Sequence, residues 1–304
     1  MESVDELFAV RNLFALGSYR AVINEIASLR STLSDAAQQE AMVFQYRSLV
    51  ALGEFDKVLQ DVATGTSLEQ QAIKALATYE KAKASHVAAT MEAEVEKAQE
   101  LAQDEALEEF PNAQVVLATV LLNHGLVDDA LAAIHKRSKH LESSALAVQL
   151  YLQLDRLDLA RKEMSDLKHW AEDAMPAQML DAWVYLRLGG DKYQQAFYIF
   201  EEFAQSNNAN TLKVLNSQAV NYLALAQYPE AESCLQEALR LNSNDPDTLI
   251  NSLVLATLTN KSEEITSKYT SQLKQVAPEH PFVHDLDQKA NLFDRAAAKY
   301  TVSA

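Results

Sequence analysis

Small and bulky apolar residues recur along this chain in paired helical stripes. In LNSQAVNYLALAQYPEAESCLQEALRLNSNDP, Ala219 and Tyr222 stand three apart; after a short interval come Tyr228, Ala231, Leu235 and Ala238. Steps of three and four place side chains on one face of an α-helix. The stretch therefore predicts two antiparallel helices, with small residues at the close approach and bulky ones filling the seam. Pro229 suits the first turn of the second helix, where its missing N–H costs no bond. Asp245-Pro246 reads as an N-cap and first residue opening the next helix.

The same grammar returns elsewhere. AWVYLRLGGDKYQQAFYIFEEF carries Tyr193, Ala196, Phe200 and Phe203, and LDRLDLARKEMSDL carries Leu157, Ala160, Met164 and Leu167. NHGLVDDALAAIHKR has Gly125, Val127, Ala130 and Ile134; LGEFDKVLQDV has Gly53, Phe55, Val58 and Val62; LGSYRAVINEIASL has Gly17, Tyr19, Val22, Ile26 and Leu29. A fainter copy holds Ile265 and Tyr269. Aligned on one small position of the second helix, the copies fall at 22, 58, 130, 160, 196, 231 and 265. One gap is two periods wide, which predicts a degenerate hairpin over 66–109, opened by Thr66 or Ser67 as N-cap. A period near 34 residues built from two helices is the signature of the tetratricopeptide repeat.

The expected fold is therefore all-α: a right-handed tetratricopeptide-like solenoid of about eight hairpins over 1–280, closed by a capping helix and tail over 281–304. In that last helix Phe282, Leu286, Phe293, Ala297 and Tyr300 mark one face, suited to covering the final apolar surface.

Composition agrees. Only 6 Gly and 6 Pro interrupt 304 residues, too few for the turns of a sandwich or an α/β fold. The net charge of −17 repels phosphate backbones and anionic lipid, so neither nucleic acid nor direct membrane binding is expected. Cys234 is the sole cysteine; it excludes an internal disulfide and sits between core positions as a small hydrophobe. The N-terminal MESVDELFAV has no basic or long apolar region, and no run is long enough to span a bilayer, which points to a soluble cytosolic protein.

Catalytic motifs are missing: there is no phosphate loop, HExxH or CxxC. His280 and His284 stand four apart, but Pro281 places His280 before the helix, and His135 and His140 are poorly spaced for a shared ligand. No enzyme activity, metal or cofactor is expected. The acidic stretch from Glu92 to Glu109 is either a solvated face or a strip for a basic partner.

What remains is the concave wall that first helices line in such solenoids. Repeat positions 5, 9 and 12 place Leu7, Arg11 and Phe14 there, then Val43, Arg47 and Val50. Val115 and Leu122 follow, then Gln149 and Leu152, Arg187, and finally Asn216, Val220 and Leu223. An apolar wall of this kind suits a held protein segment. On this register, truncating Phe14 or Leu122 weakens a partner and leaves the fold alone. A register off by one would instead put some of these residues in the hairpin seam.

Three stretches carry a family resemblance: DELFAVRNLFALGSYRAVINE, AWVYLRLGGDKYQQAFYIFEEF and HPFVHDLDQKANLFDRAAAKY. In this order, and over nearly the whole chain, they resemble the epsilon subunit of coatomer, the COPI vesicle coat. The Glu-rich segment over 90–109 departs from that pattern. The resemblance implies a structural coat subunit, cytoplasmic and peripheral on Golgi membranes and COPI-coated vesicles, active in retrograde Golgi-to-ER and intra-Golgi transport. It implies the C-terminal domain of the alpha subunit as partner, and membrane contact only through the coat. The competing reading is a co-chaperone or adaptor module gripping an acidic peptide tail. That reading needs a basic clamp, for which the wall offers Arg11, Arg47 and Arg187.

Overall fold

A computed structural model describes residues 5–134, 139–206 and 210–300. Seventeen α-helices and no strand occur among them. The first hairpins are α1 (Phe8–Ala15) with α2 (Tyr19–Leu29), α3 (Asp35–Ala51) with α4 (Phe55–Asp61), and α5 (Leu68–Ala84) with α6 (Ala88–Ala102). After a 3-10 turn at Glu105–Glu109 come α7 (Pro111–Asn123) with α8 (Val127–Ile134), and α9 (Leu141–Gln153) with α10 (Leu157–Ala171). Then follow α11 (Met175–Leu188), α12 (Lys192–Gln205), the pairs α13 (Leu212–Ala224) with α14 (Tyr228–Leu241) and α15 (Pro246–Leu258) with α16 (Glu263–Val276), and α17 (Pro281–Ala297). The chain divides into two compact units, Met1–Ile199 and Phe200–Ala304, the division falling inside α12.

The small anchor position does what its spacing predicts. Val22, Val58, Ala130, Ala160, Ala196 and Ala231 are fully buried. Ile265 is the exception: it stays 38% exposed, and Leu273 and Tyr269 hold α16 to the core instead. In the faint hairpin Val95 takes the anchor role, 37 residues after Val58 and 35 before Ala130, with Ala98 buried one turn on. Ser67, not Thr66, caps α5, its hydroxyl accepting from the Gln70 N–H at 3.2 Å. Asp245 caps α15 through the Thr248 N–H at 2.9 Å.

The turn inside each hairpin follows one geometric rule. The chain leaves the first helix through a left-handed residue, and in most hairpins the next N–H bonds back five residues, as Ser18 does to the Leu13 carbonyl and Gln227 to Tyr222. Gly17, Gly53, Gly125 and Gly190 take that conformation without strain, whereas His86, Asp155, Ala226 and Asn260 hold it with a Cβ. Ala226, at φ 58, is the clearest mismatch. Ala226→Gly should therefore raise stability by roughly 0.5–1 kcal/mol, strain relief outweighing the added unfolded-state entropy. Urea denaturation of the two chains measures it directly.

The final helix differs from its expected role. Val283 is buried on Leu249 and Leu273 with Phe282 beside it, so the first turn does cap the core. Phe293 and Tyr300 are 72% and 82% exposed, and Ala297 is exposed too. The helix runs past the end of the surface it covers.

Candidate partner-binding surface

Within the first unit, α1, α3, α5, α7, α9 and α11 each pack on the next first helix, and α1 also packs on α11. The wall of first helices thus returns to its own start. This closure changes the standing of the residues assigned to an open concave face.

Leu7, Val43, Val50 and Val115 are buried by the chain itself, at 1%, 3%, 7% and 3% exposure. They are corrections to the open-wall reading. Leu7 lies under Val10, Val22, Ile26 and Phe44, and Val43 and Val50 belong to the large core that runs from α3 to α9. Val115 sits on α7, which is buried without interruption from Asn112 to Ala118 because neighbours flank it on every side. Leu122 packs half-buried on that core, and Leu152 on the cluster around Val148 and Ala160. Gln149 is half-buried on α9.

Two of the assigned residues do come together. The Arg47 guanidinium lies over the Phe14 ring, 4.5 Å from its centroid, and 5.6 Å from that of Phe44. The two rings meet edge to face at 5.2 Å. Arg47 then reaches across the turn to Glu142 at the start of α9, 2.7 Å away, with both side chains largely covered. Arg11 donates to Glu40 of α3 at 2.8 Å and also pairs with Asp5, which in turn accepts from the Leu7 N–H and so braces the start of α1. The carboxylates of this network carry no signal in the sequence; Arg47 and Glu142 are 95 residues apart.

A cavity of about 450 Å³ opens on the same network, bordered by Phe8, Arg11, Glu40, His140, Glu142 and Trp170. His140 caps α9, its Nδ1 accepting from the Ser143 N–H at 3.3 Å. Burial pulls its pKa below the ordinary imidazole value; Glu142 and Glu40 pull it back up, and Arg11 and Arg47 push it down. A histidine with a depressed folded pKa stabilises the fold above its unfolded value of about 6.5 and loses that contribution as pH falls below it. The melting temperature should therefore drop as pH falls below about 6.5, and His140→Gln should flatten that drop. An unchanged pH slope in the variant would remove His140 from the account.

In the second unit Asn216 is occupied internally: it donates to Thr248 at 2.9 Å and accepts from Asn251 at 3.0 Å, tying α13 to α15. Leu223 packs on Ala219, Ala231, Leu235 and Leu255, while Val220 is 36% exposed. Cys234 is half-buried, and burial with nearby Glu201 pushes its thiol up to about 11. Arg187, on α11 of the first unit, is exposed and pairs with Asp155. Glu92, Glu96 and Glu100 stand on the exposed side of α6, opposite Val95 and Ala98.

These features define an all-helical repeat scaffold of the tetratricopeptide class. Solved structures agree on the fold: one chain of the APC/C hetero-tetramer Cut9-Hcn1 matches 95% of this chain over 57% of its own (TM-score 0.60, 16% identity). A tetratricopeptide repeat protein from Parabacteroides merdae ATCC 43184 matches 88% of this chain over 97% of its own (TM-score 0.56, 12% identity). The family model described as "Coatomer epsilon subunit" matches residues 3–301. Coatomer subunit epsilon-2 of Oryza sativa subsp. japonica is 33% identical over 97% of both chains. Coatomer subunit epsilon of Caenorhabditis elegans is 32% identical over 97% of this chain and 98% of its own, and that of Dictyostelium discoideum 30% over 98% and 99%. The chain belongs to the coatomer epsilon subunit family, and is a structural coat subunit.

Proposed function

We propose that this chain holds the C-terminal domain of the coatomer alpha subunit on its first-helix wall. In that role it serves retrograde Golgi-to-ER and intra-Golgi vesicle transport, acting from the cytoplasm as a peripheral component of Golgi membranes and COPI-coated vesicles. The full-length match to a family of coat subunits carries the reading. The rival reading, a clamp for an acidic peptide tail, is disfavoured because Arg11, Arg47 and Arg187 each already pair with a carboxylate of the chain. The work is adhesive, with no bond made or broken.

The test is co-elution of the purified chain with the alpha subunit's C-terminal domain in size-exclusion chromatography, beside thermal melting. A stoichiometric complex and a melting temperature that climbs with partner concentration are expected, because the partner binds only the folded state. Separate elution and an unmoved melting temperature would refute the proposal.

A further inference from the structure

We propose that the cavity bordered by α1, α9 and the end of α10 seats an arginine side chain of the protein held on the first-helix wall. The source of the arginine rests on that partner reading. The seat itself rests on the cavity alone.

Charge gives the first argument. Asp5, Glu40, Glu142, Glu172 and Asp173 line the cavity against Arg11 and Lys139. Three of these acids are engaged within the chain: Arg11 takes Asp5 and Glu40, and Arg47 takes Glu142. Glu172 and Asp173 differ. Both are exposed, and neither joins an ion pair among the described residues. They follow directly on α10, which ends at Ala171 with Glu172 as its C-cap. That is the negative pole of a helix, where carboxylates are disfavoured. Lys168 in the last turn does not relieve them, because it is drawn to Asp181 at 2.7 Å. Lys139 at the rim sets one exposed charge against two. An incoming cation gains from both acids and from the helix end.

Shape selects the cation. Phe8 and Trp170 line the same cavity and stay 51% and 37% exposed. An indole ring is the best aromatic seat for a cation. A guanidinium has a flat face to lie on a ring and a fork of donors for a carboxylate, whereas the lysine ammonium is a strongly hydrated point charge. The chain builds one such seat for its own use, where Arg47 lies on Phe14 and is held by Glu142. The cavity offers the same two elements, aromatic rings and unpaired carboxylates, to a side chain from outside. Because α1 and α9 belong to the first-helix wall, a segment lying on that wall brings its side chains to the mouth.

Indole magnetic resonance on the full-length chain tests this. Isotope-labelled tryptophan gives two indole N–H signals, from Trp170 and Trp183. Titration with N-acetylarginine amide at low ionic strength should shift the Trp170 signal along a saturable curve and leave Trp183 still. N-acetylcitrulline amide, of nearly the same shape without the charge, should move neither. Glu172→Gln with Asp173→Asn should weaken the arginine response about fivefold, the loss of charge-assisted hydrogen bonds. Glu92→Gln with Glu96→Gln, which removes as much charge from the exposed side of α6, should leave it intact. Equal responses to arginine and citrulline, or to arginine in the two double variants, overturn the seat; the wild-type comparison decides this even if a variant folds poorly. Affinity for the alpha subunit's C-terminal domain should fall about tenfold in the Glu172→Gln, Asp173→Asn chain. Unchanged affinity overturns the partner as the source of the arginine. Absence of binding by the wild-type chain would count against the partner reading, with the indole titration still judging the seat.

Discussion

Truncating Phe44 to Ala should lower the stability of the first unit by about 3–5 kcal/mol, the cost of emptying a fully buried aromatic site. Phe44 is 1% exposed and belongs to the cluster that α3 shares with the first hairpin, its ring against Phe14 and under Arg47. Its neighbours Leu7, Val22 and Ile26 are fixed by their own helices and cannot close the void without moving α1 or α2. Urea denaturation monitored by circular dichroism should show an earlier first transition, and hydrogen exchange should place the loss in α1–α3. The helices α13–α16 belong to the other compact unit and should keep their protection. A loss below about 1 kcal/mol would mean that the site collapses and that the ring is not structural.

How much of this was legible in the sequence depends on the range of the interaction. The anchor alanines and valines were legible because two helices can cross closely only over a small side chain, and that demand repeats with the period. The faint hairpin was half legible. Its length and its Ser67 cap were visible, but its turn residue is His86 where other copies have Gly, so nothing marked Val95 as the anchor. Asp155, Ala226 and Asn260 hid the same left-handed turn in three further copies.

The concave wall was legible only as a face. Periodicity says which side chains share a face; it does not say what that face meets. Here the radius of the turn decides, and it brings α1 onto α11, a contact between residues more than 150 apart. Four apolar wall positions are buried in the cores between neighbouring helices, and Arg11, Arg47 and Arg187 are met by Glu40, Glu142 and Asp155. The last helix shows the reverse error. Its one-sided stripe is real, but Phe293 and Tyr300 extend beyond the surface that Val283 closes.

Phe14→Ala is where these readings part most sharply. As a residue on an open wall, Phe14 would matter to a partner and not to the fold. In the structure its ring lies against Phe44 at 5.2 Å and Tyr19 at 5.6 Å, with the Arg47 guanidinium stacked on it. Truncation should therefore cost about 2–3 kcal/mol of fold stability, less than for Phe44 because the site is only half-covered. The loss should be shared with Arg47. Phe14 supports the guanidinium from below while Glu142 holds it from the side, so removing the ring also loosens the ion pair. A double-mutant cycle of Phe14→Leu and Arg47→Met, read by urea midpoints, should give a coupling of about 0.5–2 kcal/mol, the range for a cation over an aromatic face that is partly shielded from water. The same cycle between Leu122 and Arg47 should be additive within about 0.5 kcal/mol, since Leu122 packs on the large core and not on the Phe14–Arg47–Glu142 stack. Additivity in the first cycle would show that Arg47 and Phe14 are neighbours without being partners, and would leave Glu142 alone to orient the guanidinium.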